Sequence, residues 1–133
     1  MAFLLDTNIA IAIGDQRPGI PARLAMLDDT MFLSIITVVE LQGGITTDQP
    51  RAAERQAALS AMTDTLDVLP LTSPMADVYA AIIRRIGFSR SRILDRLIAA
   101  TALVHDLTVI TTNGPDFASI PGLKLEVWPR PAQ

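Results

Sequence analysis

The amino-acid sequence predicts one α/β domain, a parallel sheet between two layers of helices in a three-layer α/β/α arrangement. Three observations carry that expectation. Short apolar runs recur without alternating in polarity, as strands buried on both faces do. Stretches with alanine, leucine and isoleucine at helical spacing separate those runs, the order expected of strand, helix, strand units. The chain has 133 residues, 50% of them hydrophobic, and a chain of that size hides roughly two-thirds of its unfolded surface in one core without a disulfide or a structural metal. Residues 1–133 are therefore read as a single domain, with no internal repeat, low-complexity tract or linker.

In chain order, residues 2–6, 31–34, 66–71 and 107–111 read as buried strands. A fifth run, 123–128, alternates in polarity and lies between Pro121 and Pro129, which suits the edge of a sheet. Helical spacing covers 21–27, 35–45, 51–62, 74–86 and 94–104. Asp48 ahead of Pro50 is a helix-start signal, as is Ser73 before Pro74 with Asp77 in the first turn, and Gly87 is a stop. Residues 89–92 read as an exposed, mobile loop, and the tail after Pro129 as frayed.

Composition narrows the chemistry. There is no cysteine and one histidine, His105, so thiolate sites and cysteine nucleophiles are excluded and histidine chemistry has little room. His105 itself reads as a structural residue near a helix end. The longest apolar stretch, 97–104, is too short to span a membrane, which takes about 18 residues. The apolar start is cut off by Asp6 and lacks a basic flank, so it does not read as a signal peptide, and the chain is expected in the cytoplasm. A mean hydropathy of +0.36 is high for a small monomer and points to a homodimer, with helical surfaces between Arg51 and Ile86 as the expected interface. Net charge is −3, which argues against a broadly basic surface holding nucleic acid. The cations are ten arginines and Lys124, and Arg84, Arg85, Arg90, Arg92 and Arg96 crowd together. For any one of these a solvated helix end is the simplest reading.

Acids at strand ends matter most, because a parallel sheet opens its ligand crevice beyond the carboxyl ends of its strands. Asp6 ends the first strand and Asp116 follows the fourth; if those strands are neighbours, the two carboxylates face each other. Glu40 lies in a helix among Val38, Val39 and Leu41, where an ionised side chain is costly unless it is paired or coordinating. Asp95 opens a helix rich in alanine that can pack closely on the sheet. Singly, Asp6 is explained by an Asx turn, Asp95 by a helix dipole and Asp116 by a turn. Together, such carboxylates repel one another and raise their pKa values unless a hard cation neutralises them. Mg²⁺ or Mn²⁺ is the economical choice, and the chemistry it implies is hydrolysis of a phosphodiester.

Four blocks carry a resemblance: Leu5-Asp6-Thr7-Asn8, the run from Ser34 to Leu41 containing Glu40, Asp95-Arg96-Leu97-Ile98-Ala99-Ala100, and Thr111-Thr112-Asn113 leading to Asp116-Phe117. In their order and spacing they resemble the PIN-domain ribonucleases, and among these the VapC toxins of toxin–antitoxin modules. The resemblance implies a sheet of order 3-2-1-4-5, with Asp6, Glu40, Asp95 and Asp116 as catalytic and metal-binding acids around Mg²⁺. It also implies RNA cleavage leaving a 5′-phosphate, and inhibition by a cognate VapB antitoxin. Asp6 and Asp95 are the expected direct or water-mediated ligands; Glu40 and Asp116 orient water or hold a second ion. Thr7, Asn8, Thr111 and Asn113 are candidates for holding the carboxylate rotamers, or are simply turn and cap residues. One departure stands out: Thr112 occupies a position where the family usually has a basic residue.

Other readings lack their marks. A haloacid dehalogenase-type phosphatase needs Asp-x-Asp after strand one, where this chain has Asp6-Thr7-Asn8. A receiver domain needs paired acids there and a late lysine. A PIN-like module that binds RNA or protein without cutting is the remaining alternative, and its expected sign, a lost carboxylate, is missing.

Overall fold

The computed structural model describes residues 1–27, 29–47 and 49–131. The chain runs β1 (Phe3–Leu5), α1 (Thr7–Gly14), α2 (Ile20–Met26), β2 (Met31–Ser34), α3 (Ile35–Thr47), α4 (Ala52–Thr65), β3 (Asp67–Leu69), α5 (Ser73–Ile86), α6 (Ile93–His105), β4 (Thr108–Thr111) and β5 (Lys124–Val127). Short 3₁₀ turns precede α4 and α6 and follow β4. All five strands are parallel in the order β3-β2-β1-β4-β5. This is the α/β/α architecture and strand order expected.

Alternation along the central strands explains why they read as continuous apolar runs. Phe3 and Leu5 of β1 join Ile110 of β4 and Leu33 of β2 in a core on one face, with Ile9 and Met62. Leu4 and Val109 point the other way, into a core with Met75, Ile98 and Phe117. Successive strand side chains take opposite faces, so a sheet covered twice needs apolar residues at both phases. On the second face Ala99, Ala100 and Ala102 are wholly buried, which lets α6 lie close to the sheet. Helices α5 and α6 form an antiparallel pair, tied near one end by Thr101 Oγ1 on Met75 Sδ at 3.5 Å and at the other by Arg96 Nη1 donating to Gly87 O at 2.7 Å. Gly87 terminates α5 with φ of 89°, a region open to glycine.

The sequence expectation differs from the structure in three places. Residues 7–14, which it leaves without an element, form α1: Asp6 caps the helix through its carboxylate, and the following Ile and Ala residues place Ile9, Ala10 and Ala12 inward. Residues 90–92 form a 3₁₀ turn rather than a loose loop, because Arg92 is engaged in an ion pair. Strand 31–34 has the expected bounds, whereas the other four strands are shorter than expected by one or two residues at one or both ends. The start signal at Asp48 lies outside the described residues, as do residues 132 and 133 of the tail. Among the described residues, no helix is long and apolar enough to cross a membrane.

Candidate active site

Three neighbouring strands end side by side at the carboxyl edge of the sheet, and each delivers a polar side chain there. Asp6 follows β1, Ser34 ends β2 and Thr111 ends β4. The Asp6 N–H still donates to Ile110 O at 2.9 Å, which fixes its backbone in register while the side chain turns over the strand end. Asp6 Oδ1 accepts the Thr7 N–H at 2.8 Å and Oδ2 accepts the Thr111 hydroxyl at 2.7 Å. Thr111 Oγ1 in turn accepts the Asn113 N–H at 2.9 Å. With a relative exposure of 4%, the Asp6 carboxylate is both a helix cap and a group held at the rim.

Glu40, half-buried on α3, is bound by the Thr7 hydroxyl, which donates to its Oε1 at 2.7 Å. Thr7 Oγ1 also lies 3.0 Å from Thr37 Oγ1; since the single Thr7 proton goes to Glu40, Thr37 is the donor of that second bond. Ser34 Oγ accepts the Ile36 N–H at 3.0 Å and starts α3 at the strand end. Asp116 is held on both oxygens, by Arg92 Nη1 at 2.7 Å and by Asn113 Nδ2 at 2.6 Å. Asp95 stands in the first turn of α6 and receives no hydrogen bond from the described residues.

The acids sense one another. Burial, above all, pushes the Asp95 carboxyl up to about 6, and the charges of Asp116, Asp6 and Glu40 add to it while Arg92 opposes them. Burial also raises Asp6, against the lowering effect of its bonds from Thr111 and Thr7, and the Glu40 and Asp116 charges again push upward. The donor chemistry, all carboxylate oxygen with uncompensated charge at Asp95, fits a hard divalent cation. As the side chains stand, no three acidic or histidine groups among the described residues converge closely enough to enclose an ion. The cluster is thus a shared negative field with three arms, Asp6, Glu40 and Asp116, already braced by protein donors.

The sign of the Asp95 shift leads to a measurable result. A carboxyl whose folded pKa is raised from 3.8 to about 6 stabilises the fold below the unfolded value, and that contribution is lost as pH rises through the folded value. In metal-free buffer at pH 7, Asp95→Asn is therefore expected to melt several degrees above the parent chain, with the gap closing toward pH 4. A variant melting at or below the parent at pH 7 would contradict the raised Asp95 carboxyl.

Of the eight residues singled out in sequence, the structure brings seven to this rim; Asn8 is exposed and bonds to none of the acids. Its neighbours are Arg17 and Thr112 in an adjoining groove. Two residues that sequence reasoning did not assign to the site are Thr37 and Arg92. Thr37 carried a signal, a threonine one helical turn before Glu40 on the same face; Arg92 was visible only as one of a crowd. His105 ends α6, ten residues and roughly 15 Å of helix from Asp95, outside the site. Beside Glu40 a largely apolar cleft between α1, α3 and α4 has Ala10, Leu41, Ala58 and Met62 among its lining residues, together with Asp15, Arg51, Glu54 and Arg55.

The parallel sheet of order 3-2-1-4-5 has counterparts among known proteins. The PIN domain family model covers residues 3–123. The chain belongs to the PIN-domain family. Ribonuclease VapC of Rickettsia bellii is 30% identical, with 97% of this chain and 98% of that protein covered. The tRNA(fMet)-specific endonuclease VapC of Salmonella typhimurium is also 30% identical, with 96% of this chain and 98% of that protein covered. Among solved structures, VapBC2 from Rickettsia felis bound to a promoter DNA fragment superposes with a TM-score of 0.85 at 27% identity, covering 96% of this chain and 99% of that one. VapBC-1 from nontypeable Haemophilus influenzae gives 0.80 at 29%, covering 96% and 98%. This PIN domain thus resembles VapC proteins over almost its whole length.

Among the described residues, Thr7 is the one whose side chain hydrogen-bonds Glu40, and a substitution isolates that role. Thr7→Val keeps the volume but leaves Glu40 without its hydroxyl donor and Thr37 without its acceptor. Its melting temperature is expected to fall, because the buried Thr37 hydroxyl and the Glu40 carboxylate lose their partners; a variant melting with the parent would remove Thr7 from that role.

Proposed function

We propose that this PIN domain is a divalent-metal-dependent endoribonuclease and the toxin of a toxin–antitoxin pair. The observation that carries the reading is the set of four acids at one rim, where burial first and then the charges of Asp116, Asp6 and Glu40 raise Asp95. Asp6 and Asp95 would hold Mg²⁺, or Mn²⁺ in its place, directly or through water, with Glu40 and Asp116 completing its surroundings. When bound, such a cation activates water for in-line attack on phosphorus and neutralises charge on the phosphate oxygens. The chain's own part is positioning: Thr111 and the Thr7 N–H lock the Asp6 carboxylate, Thr7 aims Glu40, and Arg92 with Asn113 fix Asp116. The expected product carries a 5′-phosphate.

The relatives named VapC and the VapBC complexes support a VapB-type antitoxin as partner. The largely apolar cleft that reaches Glu40 offers a place for an amphipathic segment, and the negative rim offers Asp6, Asp95 or Asp116 to an inserted arginine or lysine. Purified chain incubated with total RNA and Mg²⁺ should yield 5′-phosphate ends, and stoichiometric antitoxin should stop the reaction. RNA left intact with both Mg²⁺ and Mn²⁺ would reject the nuclease and favour a binding module.

Self-association belongs to the same reading. Among exposed large apolar side chains, Leu71 alone falls between Arg51 and Ile86, whereas Ile35, Val39, Phe88 and Leu94 lie at the starts of α3 and α6 and just beyond α5. A homodimer is expected to use that second group; light scattering at tens of micromolar should return twice the chain mass, and Val39→Glu with Leu94→Glu should halve it.

A further inference from the structure

A groove of about 340 Å³ opens next to the acids, lined by Asn8, Ile11, Ala12, Arg17, Thr112 and Arg130. Two of these residues adjoin the site along the chain: Asn8 follows Thr7, and Thr112 follows Thr111. The groove contains no acidic side chain, and the Arg17 and Arg130 side chains make no ion pair or hydrogen bond with the described residues. Five of the other arginines are engaged, Arg55 with Asp15 among them, while Arg84, Arg85 and Arg90 on the α5–α6 side make no such contact with the described residues and line no part of this groove. Arg92 pairs with Asp116 and Arg51 with Asp15, Arg96 holds Gly87 O, and Arg23 lies over the Trp128 ring at 5.5 Å.

Both free guanidinium groups are presented by constrained backbone. After α1 the chain turns through Gln16 at φ of 53°, and the Arg17 N–H donates to Ala12 O at 2.9 Å, returning Arg17 to the helix it has just left. Arg130 follows the buried Trp128, whose N–H donates to Thr111 O at 2.8 Å, so the segment is tied to the end of β4. Pro129 and Pro131 flank Arg130 and restrict its backbone.

We propose that this groove binds a phosphodiester of the RNA strand adjacent to the one being cut, with Arg17 and Arg130 as its clamps. The inference rests on the nuclease reading and adds to it a binding site for substrate. A polyanion approaching four carboxylates on a chain of net charge −3 is repelled, and needs cations beside the cleavage point to enter at all. Guanidinium forks suit phosphate oxygens, and the Asn8 amide and Thr112 hydroxyl are the neutral donors that accompany arginine on nucleic-acid backbones. Ile11, partly exposed along the same wall, offers apolar surface to a sugar. Thr112 lines the groove together with two arginines from distant segments of the chain.

The test uses the full chain, a short fluorescein-labelled single-stranded oligouridine, and EDTA to prevent cleavage. Arg17→Gln with Arg130→Gln is expected to weaken binding roughly tenfold at low salt and to reduce the salt slope by about 0.7, the value for one neutralised phosphate on a single strand. Arg17→Lys with Arg130→Lys should restore most of the slope. Under Mg²⁺ the glutamine pair should raise KM for RNA with kcat within about twofold of the parent, and an unchanged melting temperature shows that the fold is intact. Parental affinity, salt slope and KM in the glutamine pair, alongside normal cleavage by the parent, would overturn the groove assignment and leave the nuclease standing. A parent that neither binds nor cleaves RNA would overturn the nuclease reading itself. Loss of antitoxin binding with RNA binding unchanged would assign the groove to the protein partner and likewise overturn the proposal.

Discussion

Asp6→Asn is expected to lower RNA cleavage by roughly a thousandfold, the scale seen when a preorganised charge is removed from a reacting centre, while the protein stays folded. The two halves of that result have separate causes. An asparagine oxygen can still accept the Thr7 N–H that caps α1, and the Thr111 hydroxyl can turn to accept from the new amide. The substitution also removes a buried charge whose pKa burial raises, so the melting temperature should match or exceed the parent's. What is lost is the central negative charge of the rim, and with it the attraction for a divalent ion. Cleavage retained within about tenfold by a folded Asp6→Asn chain would move the chemistry away from β1.

Removal of divalent metal is expected to abolish cleavage altogether. The chain has no cysteine and one histidine, that histidine lies at the far end of α6, and the ionisable groups described at the rim are four carboxylates and the Arg92 guanidinium paired with one of them. Excess EDTA should stop the reaction, and Mg²⁺ or Mn²⁺ should restore it. A second readout needs no substrate. A cation bound by the folded state alone stabilises it by mass action, and here it also relieves repulsion at Asp95. Millimolar Mg²⁺ should therefore raise the melting temperature of the parent, and should do so far less for Asp95→Asn. Undiminished cleavage in EDTA, or equal shifts in both proteins, would disconnect the acid cluster from the metal.

How much of this was legible beforehand follows from where each signal resides. The strands could be read because a sheet covered on both faces demands apolar residues at every position, as Leu4 and Leu5 show by entering opposite cores. Helix α1 could not, because its start depends on a single contact, the Asp6 carboxylate on the Thr7 N–H, and its short Ile and Ala run has no helical stripe of polar residues. Residues 90–92 were misjudged for a related reason: an arginine-rich turn is mobile in isolation and becomes ordered when Asp116, 24 residues away, supplies a partner.

By itself, the sequence determined the layer architecture and the candidate acids, since both follow from local pattern: apolar strand runs between helices, and carboxylates at the points where strands end. Four motif blocks in order also carried the family resemblance. Tertiary structure alone decided which side chains brace which acid. Thr111 reaches Asp6 across 105 residues and Thr7 reaches Glu40 across 33, because β1 lies between β2 and β4 and brings three strand ends to one edge. The same geometry placed Arg17, Thr112 and Arg130 around one groove. No local rule could have joined them, since their proximity is a property of the sheet order and of hydrogen bonds that exist only once the chain has closed on itself.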